Sequence, residues 1–144
     1  MLELTIYYIN NMDRKKIFTN EIREKISPYL KRVGFLGSFP HYRKVDGDKI
    51  YFIGFQFGQS SLAGKVIVNF RLLHISKMPD WLKDKPENKL NFSHGDLGSS
   101  HRLGSPKKGV DGIWFDYEGE DIEVISNKIL ELLQLELPKY LLEN

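Results

Sequence analysis

The 144-residue sequence contains no cysteine. Disulfides, thiolate zinc centres and a cysteine nucleophile are therefore excluded, and a reducing compartment, the cytoplasm, is the expected location. Long apolar runs are missing too: no stretch approaches the roughly 20 residues that a membrane helix needs, so no membrane is expected among its partners. Residues 1–11 lack a basic start, and Glu3 interrupts their short apolar run. That argues against a targeting segment, and the stretch reads as a first strand or an ordered arm. Net charge is scarce as well, +2 from 21 basic and 19 acidic residues. The strong basic footprint of a nucleic-acid binder is absent, as is ribonucleoprotein or zinc-finger spacing, so nucleic acid is not the expected ligand.

What is present suits an ordinary folded domain. Hydrophobic residues make up 41% and aromatic residues 12%, enough for one core containing Phe and Tyr in a chain of this length. The expectation is a single domain over residues 1–144 with a long insert at 76–111. The small net charge hides an asymmetry. Residues 13–32 hold seven basic and three acidic side chains, whereas residues 116–144 hold eight acidic and two basic ones. Two helices that attract each other across a shared core account for this, and a docking surface for a charged partner is the alternative.

Residues 13–33 read as an amphipathic helix, because Phe18, Ile22, Ile26, Tyr29 and Val33 recur at three- and four-residue spacing. Pro28 predicts a kink or a break after Ser27, and Gly34 ends the pattern. Residues 41–45 and 49–57 around Asp46-Gly47 read as a β-hairpin. In residues 65–75, Val66, Val68, Phe70 and Leu72 alternate with Lys65, Asn69 and Arg71, the pattern of a half-buried antiparallel strand. A short strand over 113–117 and a helix over 121–142 complete the expectation. The fold class is α+β, an antiparallel sheet of about four to five strands with N-terminal and C-terminal helices packed on one face. The face carrying Asn69 and Arg71 is left to solvent, the insert or a partner.

The chemistry-bearing residues concentrate in the insert, where a loop of such length is functional or disordered. Ser99, Ser100, His94, His101 and Asp96 are the residue types of a serine hydrolase triad, but no Gly-x-Ser-x-Gly elbow frames a nucleophile. His94, Asp96 and His101 are metal-ligand types at a spacing outside the standard zinc patterns. Gly58 to Lys65 (GQSSLAGK) resembles a phosphate-binding loop only superficially: five residues separate the glycines, Val66 stands where Ser or Thr would bind magnesium, and a strand follows. Asp116, Glu118, Glu120 and Asp121 fit a turn and helix cap better than an acid–base pair. Asn91-Phe92-Ser93 matches the glycosylation acceptor pattern without a secretory context. No cofactor is implied.

Several short motifs carry a family resemblance when taken in order. They are Ser27-Pro28-Tyr29-Leu30 with Val33-Gly34-Phe35, Phe55-Gln56-Phe57-Gly58-Gln59-Ser60, the strand of residues 66–70, His101-Arg102-Leu103-Gly104 and Leu137-Pro138-Lys139-Tyr140-Leu141. From about residue 21 onward the chain resembles the bacterial domain-of-unknown-function family 4304. The resemblance implies an α+β layout and no mechanism, and small domains of this kind are similar to immunity proteins that neutralise toxins. The leading expectation is a non-enzymatic bacterial cytoplasmic protein that binds another protein through the insert and the adjoining open sheet face. Arg71, Trp81, His101, Arg102 and Trp114 are the expected contacts, since Arg and Trp dominate binding hot spots. The alternative is a hydrolase or metal-dependent ligand-binding enzyme using His94, Asp96 and His101.

Overall fold

A computed structural model describes residues 2–105 and 112–144, with side chains from residue 14 onward. Residues 106–111, which include Lys107, Lys108 and Asp111 of the expected insert, lie outside the described residues. Helix α1 spans Leu2–Lys25. This corrects the expected strand or arm at the N-terminus: no glycine or proline interrupts residues 2–25, so the helix runs through a stretch whose Thr, Ile and Tyr content favours strands. The break falls at Ile26, one residue earlier than predicted, and α2 spans Ser27–Arg32 with Pro28 in its first turn. There the missing N–H has no intrahelical partner to lose. Gly34, at φ +98°, turns the chain out of α2.

The sheet is antiparallel and has six strands, more than expected. β1 (Leu36–Ser38), β2 (His41–Asp46), β3 (Lys49–Phe57) and β4 (Lys65–His74) follow one another as neighbours. β5 (His101–Arg102) and β6 (Phe115–Asp116) both pair with the remaining edge of β4, opposite Asn69–Phe70 and Lys65–Val66 respectively. Asp46 pairs with Lys49, so the hairpin turn is Gly47-Asp48, one position later than predicted, with Gly47 at φ +60°. Between β4 and β5 the chain makes a one-turn helix, α3 (Asp80–Lys83), and a series of 3₁₀ turns. Helix α4 spans Ile122–Glu143, and the Asp121 carboxylate caps it by accepting from Val124 N–H.

Both faces of the sheet are covered. On the first, Phe18 and Ile22 of α1, Ile26 at the break, and Ile125, Ile129, Leu133, Leu137 and Tyr140 of α4 pack on Tyr42, Ile53, Phe55, Val68, Phe70 and Leu72. The charge asymmetry lies across this joint: Lys25 pairs with Glu21 at 2.9 Å and lies 3.9 Å from Glu123 of α4, and Arg14 donates to the carbonyls of Tyr117 and Glu120. On the second face, Ile50, Phe52 and Leu73 pack against Leu82 and Leu90, with Met78 and Phe92 beside them. The half-buried alternation expected for β4 is thereby corrected: Ile67, Asn69 and Leu73, all in its polar phase, are buried. The adjoining sheet face expected to be open is covered by the insert. No helix among the described residues is long and apolar enough to cross a membrane.

Candidate functional site

The insert is fixed to the second face by a ladder of local bonds. At its start, the Asp48 carboxylate accepts from Ser76 N–H (2.8 Å) and Ser76 Oγ–H (2.6 Å), and these bonds hold its pKa below the ordinary range. Past α3, the Asn91 side chain accepts from Ser93 N–H and Ser93 Oγ–H, while His94 Nδ1 accepts from Asn91 N–H. This capping box uses the atoms of the glycosylation-like motif for a turn. Farther on, Asp96 N–H donates to the Leu72 carbonyl, and Ser99 Oγ accepts from Leu72 N–H. The insert therefore continues the backbone bonding of β4 where no regular strand lies beside it.

Phe92 is the pivot of this layer. Its ring lies over Gly54 of β3, where any Cβ would meet Phe92 Cδ1, Cγ and Cε1, the latter two at 2.7 and 2.8 Å. The Arg71 guanidinium sits 5.2 Å from the ring centroid, and the His41 ring stacks at 6.0 Å. Arg71 also donates from Nε to Ser100 Oγ (2.9 Å) and from Nη1 to the Phe92 carbonyl (3.2 Å). Burial lowers the pKa of His41.

At the other end of the insert a second anchor reaches across to α4. Glu136 is bonded to His101 Nε2 at 2.8 Å and accepts from Gly104 N–H at 3.0 and 3.1 Å. The Tyr140 hydroxyl donates to the Ser99 carbonyl at 2.8 Å, and its ring packs against those of Phe70 and His101. Burial pushes Tyr140 up to about 12, partly offset by its bond to Ser99. Glu136 is a structural partner that the sequence reading missed. Glu136 sits in a helix that reads as acidic and solvated, and nothing local in the sequence pairs it with residues 101–104.

The five expected contact residues have different surroundings. Trp81 is 70% exposed on α3, with its ring 6.5 Å from that of His94. Trp114 is half-buried, and Arg71 and His101 hold the insert in place. Arg102 is half-buried on β5, directly across from Asn69. Leu97, at 77% exposure, is a further large apolar side chain on the insert.

The alternative catalytic sets are not assembled. His94 caps its own turn, Asp96 faces His74 Nδ1 at 3.9 Å, and His101 is bonded to Glu136. Among the described residues no group of three or more His, Asp or Glu could hold a metal ion. Ser99 Oγ donates to the Asp96 carbonyl at 2.7 Å, and Ser100 accepts from Arg71, so neither hydroxyl is set against a histidine base. The acidic cluster does turn and cap work: Asp116 accepts from Glu118 and Gly119 N–H, and Asp121 caps α4. Gly58 to Lys65 connects two strands, with Gly58 N–H bonded to the Lys65 carbonyl.

The family model described as Domain of unknown function (DUF4304) covers residues 26–141. No curated protein and no solved structure matches the chain.

Proposed function

From the premise that the chain belongs to the domain-of-unknown-function family 4304, we propose that it is a non-enzymatic protein-binding module whose contact surface is the outer side of the insert. One observation carries this reading: Trp81 holds 70% of its surface in solvent on a segment whose neighbours, Leu82 and Leu90, are buried in the second core. A large aromatic side chain presented from a fixed backbone loses little conformational freedom on binding, which is why Trp ranks first among hot-spot residues. The polar groups around it support the same reading. The histidines, serines and carboxylates that could do chemistry are engaged in capping and anchoring.

Arg102 and Trp114, both half-buried, complete the proposed contact set at the far end of the insert. Photo-crosslinking in cells that express the chain tests the surface. With p-benzoylphenylalanine in place of Asp84, beside α3, one discrete protein adduct is expected. The adduct should be absent when the crosslinker replaces Lys128 on α4 and reduced by Trp81→Ala. Equal labelling from both positions, or none from position 84, would remove the insert as the contact surface. An adduct with a toxin would support the immunity-type role that the family resemblance implies.

A further inference from the structure

The packing of the insert accounts for part of Arg71 and leaves part of it over. The register sets Arg102 of β5 opposite Asn69 of β4. Arg71, two residues along β4, therefore lies diagonally from Arg102 on the same face of the sheet. Arg71 is fixed by two neutral acceptors, Ser100 Oγ and the Phe92 carbonyl, and by the Phe92 ring. A guanidinium has five N–H donors in a rigid fork. With Nε and one hydrogen of Nη1 engaged, the end of the fork, Nη2 and the second hydrogen of Nη1, remains. That edge is the one a planar or tetrahedral oxyanion takes end-on.

The charges around Arg71 point the same way. Among the described residues Arg71 forms no ion pair with a carboxylate. Burial lowers its pKa, and the positive charge of Arg102 lowers it further. A staple for the insert needs only the Nε and Nη1 bonds. It does not explain a cation whose free edge faces no described acid.

We propose that Arg71 forms an oxyanion-binding site for a carboxylate or phosphate group on the second face of the sheet, beside Ser100 and Phe92. The inference stands apart from the protein-binding reading, since a free anion and an acidic group on a partner present the same oxygens. Its test is a titration of the ¹⁵N-labelled chain with sodium phosphate and, separately, with sodium acetate. Sodium chloride holds the ionic strength constant, and arginine Nε–Hε and backbone amide signals are followed.

Saturable shifts of the Arg71 Nε–Hε signal and the Ser100 amide are expected with at least one of the two anions, and the anion that saturates identifies the class. Arg71→Gln should weaken that binding at least tenfold. Arg71→Lys, which keeps the charge and loses the fork, should weaken it severalfold and stands in if the glutamine variant does not fold. Linear shifts no larger than those with chloride, shifts confined to other basic residues, or unchanged binding in a folded Arg71 variant would overturn the assignment.

Discussion

Gly54→Ala is the substitution that most sharply probes the seating of the insert. Taken alone, replacing a strand glycine by alanine favours the folded state by about 0.5–1 kcal/mol, because the unfolded chain loses freedom. Here the new Cβ falls on the ring of Phe92. Phe92 cannot slide freely, since it is flanked by His41 and Arg71 and its carbonyl accepts from Arg71 Nη1. Overpacking of this kind costs about 1–3 kcal/mol; at about 2–3 kcal/mol, the upper part of that range, for a Cβ seated on a flanked ring, the net effect is a loss of about 1–2.5 kcal/mol. For a chain of this size that corresponds to a fall in melting temperature of roughly 3–8 °C.

The assay is thermal unfolding combined with hydrogen exchange. Exchange should accelerate at the Gly95 and Asp96 amides, which are bonded to the Phe92 and Leu72 carbonyls. A double-mutant cycle isolates the cause: in a Phe92→Ala background the clash is gone, so Gly54→Ala should become neutral or slightly stabilising, a coupling of about 1–3 kcal/mol. A stable Gly54→Ala variant with unchanged exchange, or strictly additive effects in the cycle, would refute the placement of Phe92 over Gly54.

Three further outcomes follow from the anchors. Tyr140 keeps its proton to about pH 12 in the fold, whereas an unfolded tyrosine ionises near 10. Its contribution is complete below pH 10 and lost as pH rises toward 12, a fall of roughly 2–3 kcal/mol at most. Absorbance at 295 nm should show this tyrosine ionising with or after alkaline unfolding, and ionisation near pH 10 in a folded chain would contradict its burial. His94 and His41 are both lowered, His94 by burial and then by Lys85, and His41 by burial. The stability they add is present above the unfolded value near 6.5 and declines as pH falls through their lower folded values. Protonation of His94 removes the acceptor of the Asn91 N–H, so protection of that amide relative to its intrinsic exchange rate should fall as pH drops below the ordinary histidine range, and protection insensitive to acid would exclude the capping box. Glu136→Ala removes the acceptor for Gly104 N–H and the partner of His101. It should cost about 1–3 kcal/mol in denaturant unfolding, and a neutral change would show that the α4 anchor contributes nothing.

The elements legible in the sequence were those with a sustained period or a strong turn signal. The alternation of residues 49–57 and 65–74 around Gly47, and the apolar spacing of α4 after Asp121, identified β2, β3, β4 and α4 within a residue or two. β1 and β5, of three and two residues, are too short to show a period. They exist because neighbouring backbone is available to pair with them. Only the first half of α1 was missed: residues 2–12 read as a strand or arm because β-favouring residues lie there in a segment with no breaker, where helix continuation wins.

The site was legible only as a location. Polar and aromatic residues in 76–111 identified the insert, but sequence distance hid what each one touches. Arg71 and His101 look like contacts in the sequence, and in the fold their side chains are also bonded to Ser100 and Glu136. Gly54 and Phe92 meet across 38 positions, and His101 and Glu136 across 35. Trp81 is the expected contact whose surroundings leave its ring mostly in solvent.

The affinity of the crosslinked partner for the unmodified chain and for Trp81→Ala, measured by calorimetry with both chains shown to be folded, tests the binding surface most directly. Loss of a hot-spot tryptophan removes at least about 2 kcal/mol, so the dissociation constant is predicted to rise roughly 30-fold or more. A dissociation constant unchanged within a factor of two would contradict the assignment of the insert as the surface through which this chain acts.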